Sequence, residues 1–166
     1  MPALEALDRR IADLLLENGR MACAEMARRL GDVSERTIRY RLQRLIDRGI
    51  IQVAAVADPR ALDYNVLADV FLEVDPPAIR AAAEQLAREA RVRYVACSLG
   101  DVDISIQVVG RDNDDIYDFV TRVVANIPGV RKTTTLIVPV TLKDIHQWRI
   151  PDAAPAPSSG LPGSRK

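Results

Sequence analysis

Apolar residues at the start of the chain fall at helical spacing. Leu4, Leu7, Ile11, Leu14 and Leu15 recur three and four apart with charged residues between them. That pattern predicts an amphipathic helix, which Asn18-Gly19 stops. A second, shorter helix fits residues 22–30, where Met26, Ala27 and Leu30 form the apolar stripe. Gly31-Asp32-Val33 reads as a tight turn. Ser34 is a good N-cap for a third helix, and Glu35 in the first turn suits the helix dipole. Ile38, Leu42, Leu45 and Ile46 give this third helix, Ser34 to Arg48, its buried face, and Gly49 ends it.

After Gly49 the period changes. Residues 50–56 are apolar and β-prone, a short linker strand that Asp58-Pro59 breaks. From Asn65 the pattern runs strand, helix, strand, strand, helix, strand. Residues 66–74 alternate as a strand, and Pro76-Pro77 opens a helix over about 78–91. Residues 93–99 form the next strand, and Gly100-Asp101 turns it. Val102, Ile104, Ile106 and Val108 alternate along a third strand. A helix over about 114–127 ends at Pro128-Gly129, and 133–141 is the last strand.

The expected fold is therefore α+β. A helix-turn-helix unit spans 1–53, a linker 54–64, and a ferredoxin-like βαββαβ domain 65–148. The Pro-, Ala-, Ser- and Gly-rich residues 149–166 are expected to be a disordered tail. Two helices can cover only one face of a four-stranded sheet. Val66, Val70 and Leu72 are apolar on one parity and Leu67 and Phe71 on the other, and Leu136 and Val138 against Ile137 repeat this, so a second subunit is expected to cover the other face.

Composition adds limits rather than direction. The chain has 166 residues, 48% of them hydrophobic and 28% charged, enough for a packed core and a solvated surface. Lys plus Arg (23) equals Asp plus Glu (23), so only local charge can point to a partner. Cys23 and Cys97 are far apart and flanked by apolar residues, which suggests buried small side chains rather than a disulfide or metal pair. Residues 1–7 lack a signal-peptide pattern, and no apolar run reaches the roughly 20 residues of a membrane helix. No membrane contact and a cytoplasmic location are expected.

The third helix carries Arg36, Arg39, Arg41, Arg44 and Arg48 against only Glu35 and Asp47, while the rest of 1–53 nearly balances. Positive charge gathered on the second helix of a helix-turn-helix is what a phosphate footprint on double-stranded DNA requires. With Ile38, Leu42 and Leu45 inward, Glu35, Arg36, Arg39, Tyr40 and Gln43 point outward. Arg36 and Arg39 are candidates for base edges, since Arg can hold guanine bidentately. Thr37 and Tyr40 offer hydroxyls to phosphate, Ser34 adds the helix N-terminus, and Arg44 completes the candidate DNA-binding set. The competing reading is a solvated Arg-rich face on a helical bundle.

Catalysis finds little support. His146 is the only histidine, and no nucleophile–base set, metal cluster or Gly-rich phosphate loop can be assembled. No catalytic residue, metal ligand or cofactor is assigned.

Taken in order, the residues of both halves resemble a known family. Leu7-Asp8-Arg9-Arg10-Ile11, Leu14-Leu15, Gly19-Arg20, Glu25-Met26-Ala27, Gly31, Ser34, Arg41-Leu42, Arg44-Leu45 and Gly49-Ile50-Ile51 are similar to the DNA-binding half of the leucine-responsive/asparagine (Lrp/AsnC) regulators. Leu99-Gly100-Asp101-Val102-Asp103 resembles that family's Gly-Asp-Tyr-Asp turn. Pro128-Gly129-Val130, Thr133, Thr135 and Lys143 resemble its last strand. The likeness covers about residues 4–148.

The resemblance implies a transcription regulator that forms homodimers through the sheet domain, as family members do, with octamers built from dimers in many of them but not in all. It implies a small effector, commonly an amino acid, held between dimers. Carried over by position, the effector residues are Gly100, Asp101 and Asp103, with Thr133 and Thr135 nearby. A turn carboxylate could accept from an ammonium group and backbone N–H groups could hold a carboxylate; alternatively, such an Asp satisfies only its own backbone. Three positions depart from the family. Asp32 looks like a one-residue insertion before the third helix, Val102 replaces an aromatic residue, and Asp63 stands where glycine is common. Two other readings remain open at this point: a sirohaem-decarboxylase-like enzyme with a degenerate helix-turn-helix, and a stand-alone amino-acid sensor acting on a protein partner.

Overall fold

The computed structural model describes residues 5–151. Leu4 and most of the expected tail, residues 152–166, lie outside the described residues. The described parts of Met1–Val56 and Lys143–Lys166 form one compact unit, and Ala57–Leu142 forms a second.

The first unit is three helices: α1 (Ala6–Glu17), α2 (Cys23–Leu30) and α3 (Glu35–Asp47). They form where the periodicity places them, because each has one apolar stripe to bury. Ile11, Met21, Met26, Ile38 and Leu45 make the core, with Leu7, Leu14, Leu15, Cys23 and Leu42 packed around it. Gly31 ends α2 in the left-handed conformation (φ 76°), its N–H bonded to the Ala27 carbonyl.

Residues 50–56 do not form the expected strand. A strand needs a ladder partner, and every strand of the described residues belongs to the other unit. Ile50, Val53 and Val56 line an apolar pocket of about 440 Å³ with Leu15 and Leu16 of α1 and with Ile145, Trp148 and Ile150 from the end of the described chain. An Arg9 Nη1 bond to the Pro151 carbonyl closes the same unit.

The second unit is an antiparallel sheet, order β2-β3-β1-β4, with two helices on one face. Its elements are β1 (Val66–Val74), α4 (Ile79–Leu86), β2 (Val92–Cys97), β3 (Ile104–Gly110), α5 (Asn113–Arg122) and β4 (Val130–Ile137). Ala68, Val70, Leu72 and Val74 alternate inward on β1 and meet Leu86, Ile104, Ile106, Val108, Ile116 and Phe119 in one core.

Several boundaries move for physical reasons. α4 stops at Leu86 rather than near 91, because tight turns to the Gln85 and Leu86 carbonyls bring the chain round to β2. α5 ends at Arg122 and continues only as a 3-10 turn over Val124–Asn126. β4 begins at Val130, three residues early, and ends at Ile137. Val138 still donates to the Leu67 carbonyl, but Pro139 has no N–H to extend the ladder.

The open sheet face is more polar than expected. Leu67, Phe71, Val109 and Leu136 alternate with Asp69, Glu73 and Gln107. Gln107 bonds Asp69 at 2.9 Å and Lys132 pairs Glu73 at 2.8 Å. Cys97 is also corrected: it is exposed, because it closes an edge strand and leads into the exposed 98–101 turn, whereas Cys23 is half-buried against the helical core. Asp63 is the one described non-glycine residue with positive φ (64°), at a position where glycine would carry no steric cost.

Candidate nucleic-acid interface and effector turn

α3 is presented by its cap and its core face. Ser34 Oγ accepts from the Thr37 N–H at 3.2 Å and lies 2.9 Å from Thr37 Oγ1. The capping reading of Ser34 therefore holds, and the Thr37 hydroxyl is turned toward the cap. Ile38 and Leu45 are fully buried below. Glu35, Arg36, Thr37, Arg39, Tyr40 and Gln43 are exposed on the other side, with Tyr40 66% exposed. Arg39 pairs with Glu35, one turn back, and Gln43 donates to Asp47 at 2.7 Å. Among the described residues Arg36 has no ion-pair partner.

Arg44 differs from the rest of the predicted set. Its Nη2 lies 3.0 Å from Asp8 Oδ2, and Arg41 Nη1 lies 3.3 Å from Asp8 Oδ1. Asp8 itself is only 3% exposed, on the core face of α1. Both arginines also bond Glu5. Hydrogen bonds from Arg41, then Arg44, hold the Glu5 carboxyl below the usual carboxylate range, and Glu5 in turn raises Arg41. Two of the four arginines on α3 thus face α1. Sequence reasoning missed Asp8, although a carboxylate three residues before Ile11 on an apolar stripe was the available signal. Asp32, the extra turn residue, is held by Arg10 at 3.2 Å, which lowers its carboxyl; Arg10 also reaches the Leu30 carbonyl.

In the sheet unit, Gly100 takes φ 139° in the turn after β2, and Asp101 is exposed beside it. Asp103 is committed elsewhere. Its Oδ2 accepts from the Val74 N–H at 2.8 Å, where the β1–β4 register shifts between Glu73 and Val74. Its own N–H donates to the Leu72 carbonyl, and Arg131 lies 4.0 Å from its carboxylate. Thr133 and Thr135 line a groove of about 600 Å³ with Tyr117 and Thr121 of α5. Gly100, Asp101 and Asp103 do not line that groove. His146 is exposed, and the described residues hold no cluster of three or more metal-ligating side chains. No described helix is long and apolar enough to cross a membrane.

A capped, protruding helix with exposed arginines, joined in one chain to a ferredoxin-like domain, defines a helix-turn-helix transcription regulator. Residues 4–52 match the winged helix-turn-helix DNA-binding model and residues 67–148 the Lrp/AsnC ligand binding domain. The chain belongs to the Lrp/AsnC family. It is 35% identical over 146 residues to an uncharacterized HTH-type transcriptional regulator of Pyrococcus abyssi, covering 87% of this chain and 89% of that one. The solved structure of E. coli AsnC is similar, at 28% identity and a TM-score of 0.78, covering 87% of this chain and 99% of that one. So is the feast or famine regulatory protein of M. tuberculosis complexed with L-methionine, at 25% identity and a TM-score of 0.79, covering 89% of this chain and all of that one. Family membership favours the regulator over the enzyme and stand-alone sensor readings.

Proposed function

We propose that this chain binds specific DNA sequences as a two-fold dimer and that a small amino-acid-like effector tunes the binding. The observation that carries the proposal is α3, with Arg36, Arg39 and Tyr40 exposed on one side and Ile38 and Leu45 locked beneath. A two-fold pair would place two such helices about one DNA turn, roughly 34 Å, apart, so the operator should be near-palindromic. Leu67, Phe71, Val109 and Leu136 on the open sheet face support the pairing. The exposed Gly100-Asp101 turn and the L-methionine held by the M. tuberculosis relative support an effector that carries both an ammonium and a carboxylate. It acts only if it binds one arrangement of subunits better than another. The cytoplasm is the compartment this reading implies.

Two measurements check it. Arg39→Ala should weaken binding to a selected duplex by about 1–3 kcal/mol and relax preference at one base position; unchanged affinity and preference removes Arg39 from the reading set. Phe71→Glu should sediment as a monomer, because a buried carboxylate without a partner is costly at a closed interface. A persistent dimer would assign the pairing to another face.

A further inference from the structure

Asp8 is the one described polar residue that is buried in the core, and it sits where the first and third helices meet. Its two oxygens take one arginine each from α3, Arg41 at 3.3 Å and Arg44 at 3.0 Å. Glu5, one turn earlier, takes the same two guanidinium groups from the outer side. The four charges cancel. The arginine side chains are only 21% and 30% exposed, and Arg44 Nε is enclosed with no partner among the described residues. An enclosed N–H without a partner is costly, so the guanidinium is held in place by its carboxylates rather than by convenience of its own solvation.

We propose that Asp8 is a specificity-determining positioning residue: it withdraws Arg41 and Arg44 from the DNA and fixes the rotation of α3 that turns Arg36, Arg39 and Tyr40 outward. This rests on the DNA-binding reading above. Electrostatics gives the clamp two effects. Each cation kept off the phosphates removes sequence-independent attraction, which every duplex would share. Each cation pinned to α1 also resists rolling of the recognition helix, on which base contacts depend. The clamp therefore lowers binding to all DNA while sharpening the preference for one site.

The full chain is titrated at several salt concentrations against two probes: a mixed-sequence 40-base-pair duplex, and a duplex recovered by selection from a randomised pool. Asp8→Asn leaves Glu5 alone to neutralise the two arginines and so frees one net positive charge for the phosphates. The salt slope on the mixed duplex should steepen by roughly one, since each new phosphate contact adds about 0.9. The ratio of selected to mixed affinity should fall about fivefold or more. Loss of a merely structural carboxylate would not steepen that slope. Arg41→Gln, which leaves Arg44 on Asp8, guards against a misfolded first variant; its slope should stay at the wild-type value while the selected-site preference drops. Arg36→Gln, for comparison, should lose about one from the slope. The clamp is overturned if wild-type protein binds DNA but Asp8→Asn folds with slope and preference unchanged, or if Arg41→Gln flattens the slope as Arg36→Gln does. Wild-type protein that ignores both duplexes at low salt overturns the DNA-binding reading itself, and the clamp with it.

Discussion

Gly129→Ala is expected to destabilise the sheet unit by about 2–5 kcal/mol, the sum of two separate penalties. Gly129 takes φ 87°, where an L-residue costs roughly 1–2 kcal/mol. An added Cβ would also stand 2.4 Å from the Ala78 Cβ, well inside contact distance, with Val74 at 3.6 Å behind it. The obstruction is a Cβ fixed on backbone, not the far end of a flexible side chain, so main chain must move. Overpacking of this kind costs typically about 1–3 kcal/mol. The neighbourhood has little freedom to give, because Asp75 N–H donates to the Gly129 carbonyl at 2.8 Å and β4 starts at the next residue. Urea denaturation of the full chain checks the prediction. A midpoint within error of wild type would mean that the 3-10 turn at Pro76–Ala78 yields freely.

Asp103→Ala should cost about 1–3 kcal/mol, because it leaves the buried Val74 N–H without its acceptor. Val74 lies where β1 and β4 fall out of register, so no neighbouring strand can take over that donor. Asp103→Asn keeps an acceptor oxygen and should lose much less. The pair separates two roles for this residue. As a bracket for the sheet, Asp103 can be replaced by Asn with little loss of stability, and effector-induced shifts in melting temperature stay intact. A direct effector ligand would lose those shifts in the Asn variant while keeping its stability. The bond to Val74 favours the first outcome, which leaves Gly100 and Asp101 as the turn residues available to an effector.

The order of elements was legible because each one carries its own period and its own punctuation. Ser34, Gly31 and Gly49 mark helix ends by conformational need, and β1 alternates so cleanly that its bounds fall at Val66 and Val74. What escaped depends on partners distant in sequence. Residues 50–56 have strand composition, but composition cannot supply a ladder. Arg44 counts as a surface cation until Asp8, 36 positions earlier, is seen to face it. Asp103 entered the effector set through the family resemblance, and nothing in its own segment shows that β1 slips register at Val74, where its carboxylate is bonded. Local pattern thus placed α3 and its cap, and long-range pairing decided which of its charges point outward.

The helical unit is assembled from both ends of the described chain: Leu15 and Leu16 come from its first helix, Ile145 and Trp148 from residues reached only after the whole sheet has been traversed. On the ribosome, where chains emerge N-terminus first, the three helices wait for these apolar neighbours until the whole sheet unit has been translated. An N-terminal fragment cut at the end of α3 would carry the exposed arginines of that helix yet lack the closing segment, so its melting would understate the stability this unit has in the longer polypeptide.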